Sequence, residues 1–129
     1  MASKVKFEID MLPVTENNAV RMTRRGGYKT QDYKDWEEYV LLTVKEKEID
    51  VSEWYKAQVV CHFPLYYKNG NIRKKDAHNR IKYAVDTLLH NKVIDSKGNR
   101  IDDKRIIKGR WEKVEDDKEW VEIIFECVK

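Results

Sequence analysis

At 129 residues the chain is long enough for one compact domain with a real core and too short for two ordinary ones, so a single domain over residues 1–129 is expected. Its 26 basic and 23 acidic residues nearly balance, and the net charge of +3 names no partner by itself. No apolar run approaches the length of a membrane span and the amino terminus lacks an apolar signal core, so a soluble intracellular protein is expected.

Residues 5–11 (Val5-Lys6-Phe7-Glu8-Ile9-Asp10-Met11) alternate apolar and polar side chains and stop at Leu12-Pro13, which predicts a half-buried first strand. Residues 15–30 read as a long polar loop, in which Arg24-Arg25 beside Gly26-Gly27 suits a phosphate backbone. A helix is predicted over residues 31–47. Tyr33, Trp36, Val40 and Val44 recur at helical spacing, Thr30 is the N-cap, and Asp32 and Asp35 favour the first turn. This aromatic stripe reads as core, and residues 49–53 as connector.

Residues 54–65 form a strand with Ala57, Val59, Cys61 and Phe63 on one face and Gln58, Val60, His62 and Pro64 on the other. His62 reads as a packed or edge histidine. Cys61 and Cys127, far apart in apolar alternating runs, read as buried free thiols in a reducing compartment. Residues 66–71 are a turn whose tyrosines suit either rim packing or base stacking. A second helix is predicted from Asp76 to about Asn91, with Ile81, Ala84, Val85, Leu88 and Leu89 on its apolar face. After a turn at residues 95–99, residues 104–113 and 119–128 are strands, expected to pair as an antiparallel hairpin. The fold class is therefore α+β: a mixed β-sheet of about four strands with two helices packed against it.

Charge is uneven along the chain. Residues 68–110 hold thirteen Lys or Arg against five acids, and residues 111–129 hold three bases against seven acids. A basic middle that surrounds a few acids suits a polyanion and a local cation. On the second helix His78, Asn79, Lys82 and Asp86 fall on adjoining azimuths, with Asp76 at the entrance, where exposed N–H groups favour an anion. Phosphodiester hydrolysis needs an activated water, neutralised phosphate oxygens and help for the leaving oxygen. Asp76 and Asp103 suffice as carboxylate ligands of Mg²⁺ if they converge, with Asp102 or His78 completing the shell. Lys82, buried along its stem, would present its ammonium to the phosphate.

The pattern Asp76-x-His78-Asn79-x-x-Lys82-x-x-x-Asp86, followed by Asp102-Asp103-x-x-Ile106, resembles the RusA family of endodeoxyribonucleases, which resolve Holliday junctions. Leu12-Pro13, the Asn17-Asn18 pair and the basic loop through Lys29 support the resemblance, which covers almost the whole chain. It implies Asp76 and Asp103 as Mg²⁺ ligands and Lys82 as the catalytic lysine. It also implies a four-way DNA junction as substrate, a homodimer whose two sites face the junction's symmetric halves, no small-molecule cofactor, and the cytoplasm of a bacterial or phage-infected cell. The DNA-binding candidates are Arg24, Arg25, Lys29, Arg73, Lys74, Lys75 and Asn79.

His78 stands where the family has a second helix acid. Imidazole suits Mn²⁺ better than Mg²⁺, so His78 either shifts the metal preference or acts outside the metal's immediate ligands. The turn at residues 95–100 also looks longer than usual for the family. A junction-binding protein without catalysis is the alternative reading.

Overall fold

The structure is a computed structural model that describes residues 4–15, 19–48, 54–74, 80–94, 97–98 and 106–128. Four strands make one mixed sheet, in the order β1 (Lys4–Ile9), β8 (Trp120–Val128), β5 (Trp54–Phe63), β7 (Ile106–Glu115). β8 runs antiparallel to both of its neighbours, and β5 and β7 run parallel. The two helices among the described residues are α1 (Gln31–Thr43) and α2 (Ile81–Asn91). This is the expected α+β architecture.

The predicted alternation is the observed one. Val5, Phe7 and Ile9 of β1, Ala57, Val59, Cys61 and Phe63 of β5, and Val121, Ile123 and Phe125 of β8 are all buried in one core. Trp36, Val40, Leu88 and Leu89 of the helices complete it, each fully buried. Burying one such side chain stabilises by roughly 1.5–3 kcal/mol, so this layer dominates the favourable side of folding. Between the helices Tyr33 and Tyr83 meet edge-on at 4.9 Å, and under them Phe7 and Phe125 do so at 6.2 Å. The other sheet face is polar and laced by ion pairs, among them Lys6–Glu122 at 2.9 Å and Lys56–Glu126 at 2.8 Å.

Three expectations are corrected. β7 and β8 do not form a hairpin, because β5 lies between them. The link at residues 116–119 passes the end of β5, where the Asp116 N–H donates to the Phe63 carbonyl at 3.1 Å. From Val59 to Phe63 every residue of β5 is buried, as suits a central strand hydrogen-bonded on both edges.

The polar stretch before α1 is not all loop. β2 (Val20–Thr23) and β3 (Gly26–Lys29) pair as a hairpin with Arg24 and Arg25 at its tip. Gly26 at φ 109° closes the turn, helped by the Thr23 hydroxyl donating to the Gly26 carbonyl at 2.8 Å. Every residue of β3 is exposed, so the ribbon has no apolar alternation to betray it.

Finally, α1 stops at Thr43 rather than Lys47. Val44 turns extended, and β4 (Lys47–Glu48) pairs in parallel with β6 (Val93–Ile94). The Lys47 N–H donates to the Lys92 carbonyl at 2.8 Å, a bond that another helical turn would have forfeited. Both cysteines are free, Cys61 buried and Cys127 half-buried. No described helix is long and apolar enough to cross a membrane.

Candidate nuclease site

The site is organised by the mouth of α2. Ala84, Val85, Leu88 and Leu89 seat this helix on the core, and the Lys92 N–H closes its last turn onto the Leu88 carbonyl at 2.7 Å. Lys82 lies in the first turn. It is exposed, not stem-buried as expected, and its Nζ stands 5.3 Å from the centroid of the Tyr83 ring. Asp86, one turn on, is half-buried. Its charge helps to raise the Tyr33 phenol, whose shift upward is due first to burial.

Asp76, His78, Asn79 and Lys75, and beyond the turn Asp102 and Asp103, lie outside the described residues, as do Asn17 and Asn18. The expected helix start at Asp76 and the length of the turn at residues 95–100 fall there too, apart from Lys97 and Gly98. Among the described residues no group of three or more His, Cys, Asp or Glu is placed to hold a metal ion.

The described basic candidates are spread over the β2–β3 hairpin and the turn at residues 66–74. Arg24 and Arg25 stand exposed at the hairpin tip. Lys29 is already engaged: its ammonium lies 2.9 and 3.1 Å from the two Glu37 oxygens and 5.1 Å from the Tyr33 ring centroid. The guanidinium of Arg73 lies 5.1 Å from the centroid of the Tyr67 ring, with its Nε buried and without a hydrogen bond. Lys74 lines an open groove of about 810 Å³ with Tyr67, Asn69, Asn71 and Ile72. This groove belongs to a projecting turn. The Tyr67 N–H donates to the Asn71 carbonyl at 2.8 Å, Gly70 takes φ 88°, and Tyr66, Tyr67 and Ile72 are more than half exposed.

One residue inside the quoted motif went unassigned at the sequence level. Arg80 is the N-cap of α2, makes no side-chain capping bond, and donates from Nη1 to the Pro13 carbonyl. It borders a cleft of about 270 Å³ with residues 11–15 and with Asp32, Asp35 and Trp36 of α1. In the sequence Arg80 stands four residues into the helix predicted from Asp76, so no local signal marked it.

His62 is a packed histidine on the far side of the sheet. Its ring stacks on Trp120 at 3.7 Å, with Nδ1 3.8 Å from Asp116 and Nε2 3.5 Å from Glu122. The Trp120 indole N–H donates to Asp116 at 2.7 Å, which with a backbone bond from Lys118 holds that carboxyl below its usual range. Burial pushes Glu122 up, but Lys6 and His62 outweigh it and leave its carboxyl lowered. Trp120 is half-buried, stacked on His62 and bonded to Asp116, whereas Trp111 is half exposed.

No curated protein matches the chain. A family model described as Endodeoxyribonuclease RusA matches residues 10–126, which takes in most of the sheet, both helices and the whole motif from Asp76 to Asp103. The chain therefore belongs to the RusA family of endodeoxyribonucleases.

Proposed function

We propose that this protein is a metal-dependent endodeoxyribonuclease that resolves Holliday junctions by paired, symmetric phosphodiester hydrolysis, working as a homodimer on four-way DNA. The family match over residues 10–126 carries the reading. Lys82, exposed in the first turn of α2, supports it as a compact cation available to a phosphate. The exposed Arg24, Arg25 and Lys74 supply further sequence-independent attraction for the DNA backbone.

Asp76 and Asp103, with Asp102 or His78, are the residues that would hold the metal. Three carboxylates and one imidazole fit Mn²⁺ as a set, and the carboxylates alone fit Mg²⁺. A bound divalent cation supplies charge neutralisation on the phosphate and a more acidic water. The protein's own part is to place the phosphodiester against Lys82, whose ammonium offsets charge on the non-bridging oxygens.

Incubation of the purified protein with a mobile four-way junction and Mg²⁺ or Mn²⁺ tests this. Symmetric nicks that vanish in Asp76→Asn and in Asp103→Asn are expected. Retention of the junction in a gel without cleavage under either metal would instead favour a junction-binding protein, a reading that the histidine at position 78 specifically supports. Absence of any structure-selective affinity sinks both.

A further inference from the structure

We propose that Arg80 is a positioning residue of this nuclease site: by clasping the segment after β1 to the mouth of α2, it sets the placement of Lys82 in the first turn of that helix. The inference rests on the nuclease reading above and adds to it a residue that does not touch the substrate.

Local helix energetics argue against arginine here. An N-cap with a side-chain oxygen stabilises a helix by about 1 kcal/mol, as Thr30 does for α1 by accepting the Tyr33 N–H at 3.3 Å. Arg80 has no such oxygen; its backbone is already αR, and its cation stands near the positive end of the helix. What offsets this is a non-local contact. The guanidinium reaches across 67 residues of sequence to the Pro13 carbonyl, and the side chain is half-buried.

Two further observations place it. Asp32 and Asp35 at the start of α1 border the same cleft, with the Asp35 carboxylate held by the Gln31 amide at 2.7 Å. The charge of Arg80 also acts, as a lesser effect than burial, on the thiol of Cys61, a buried core residue of β5. Arg80 thus ties the segment after β1 to the start of α2, beside a cleft that the start of α1 also borders. Lys82 follows it by two positions and Asp76 precedes it by four. A site residue displaced by about 1 Å loses on the order of a hundredfold in rate, so a clasp at this position acts on the chemical step more than on DNA capture.

The test is Arg80→Met and Arg80→Lys in the full chain, read by single-turnover cleavage of a four-way junction and, separately, by junction affinity without divalent metal. Arg80→Met is expected to slow cleavage by about 30- to 100-fold with affinity within about twofold of wild type. Arg80→Lys retains a donor for the Pro13 carbonyl and is expected to recover to within about fivefold. Amide hydrogen exchange provides a readout apart from activity: Arg80→Met should speed exchange in both residues 10–15 and residues 80–84 while sparing β5 and β8.

Cleavage by Arg80→Met at the wild-type rate overturns the inference. So does a loss of rate and affinity in equal proportion, or unchanged exchange in both segments. If Arg80→Met does not fold, Arg80→Gln takes its place with the same expectations. A wild-type chain that cuts no branched DNA overturns the nuclease reading, and this inference with it. A wild-type nuclease indifferent to Arg80→Met overturns the inference alone.

Discussion

The indole N–H of Trp36 donates to the hydroxyl of Thr87 at 3.2 Å, and both residues are fully buried where α1 crosses α2. Thr87 in turn donates to the Tyr83 carbonyl at 2.7 Å, so one hydroxyl satisfies a buried donor and anchors itself to its own helix. The largest core residue is thereby oriented by a polar contact and not by packing alone. Thr87→Val keeps the shape and strands the indole N–H. It should destabilise the fold by about 1–3 kcal/mol, read as a lower urea midpoint with an unchanged slope.

The Lys82 ammonium is expected to act in the transition state and contribute little to DNA capture. Lys82→Met should lower the single-turnover rate by roughly a hundredfold or more with junction affinity nearly intact. Equal losses of rate and affinity would reassign Lys82 to binding.

Arg24 and Arg25 project from the β2–β3 tip, whereas Lys29 is held by Glu37. Replacing both arginines with alanine should weaken junction binding and reduce the salt slope by about 1.8, the value for two lost phosphate contacts. Lys29→Ala should change the slope less, because its charge is already paired. Titration of binding against salt for the two variants checks the ordering.

Acid should weaken the fold through the carboxylates of the polar sheet face. Asp116 is lowered first by its bond from the Trp120 indole, and Glu126 first by its bond from Lys56. A carboxyl whose folded pKa is depressed contributes stability that is fully present above its unfolded pKa, near pH 4, and is lost as pH falls through the folded value. Denaturation midpoints should therefore fall modestly below about pH 4. Trp120→Phe should remove the indole's share of the Asp116 effect, making the acid limb shallower.

Burial pushes the Cys61 thiol up to about 11, while Cys127 is half-buried. At pH 8 roughly one Cys61 in a thousand is thiolate, and it is sterically enclosed besides. A thiol reagent should label Cys127 first in the native protein and reach Cys61 only in denaturant. Labelling of both at one rate would contradict the placement of Cys61 in the core.

The sequence was most legible where local chemistry and burial agree. Thr30 caps α1 as its hydroxyl suggested, and Tyr33, Trp36 and Val40 face the core at their helical spacing. The faces of β5 were assigned correctly from alternation, and His62 proved the packed residue it resembled. Legibility failed where a polar segment found a partner. Residues 20–29 show no apolar period because the β2–β3 ribbon is solvated, and Lys47 left the helix for a parallel bridge to Val93. Of the site, the motif and its family were readable, but the role of Arg80 was not.

By itself the sequence determined the strand faces, the helix stripes and the order of acids and lysine that marks the family, because each depends on residues within a few positions of one another. The tertiary structure decided that β5, rather than the loop after β7, separates the last two strands. It also decided that Arg80 meets Pro13 and that Trp36 meets Thr87. Alternation looks the same whichever strand lies alongside. The choice of neighbour is a property of the whole packed sheet.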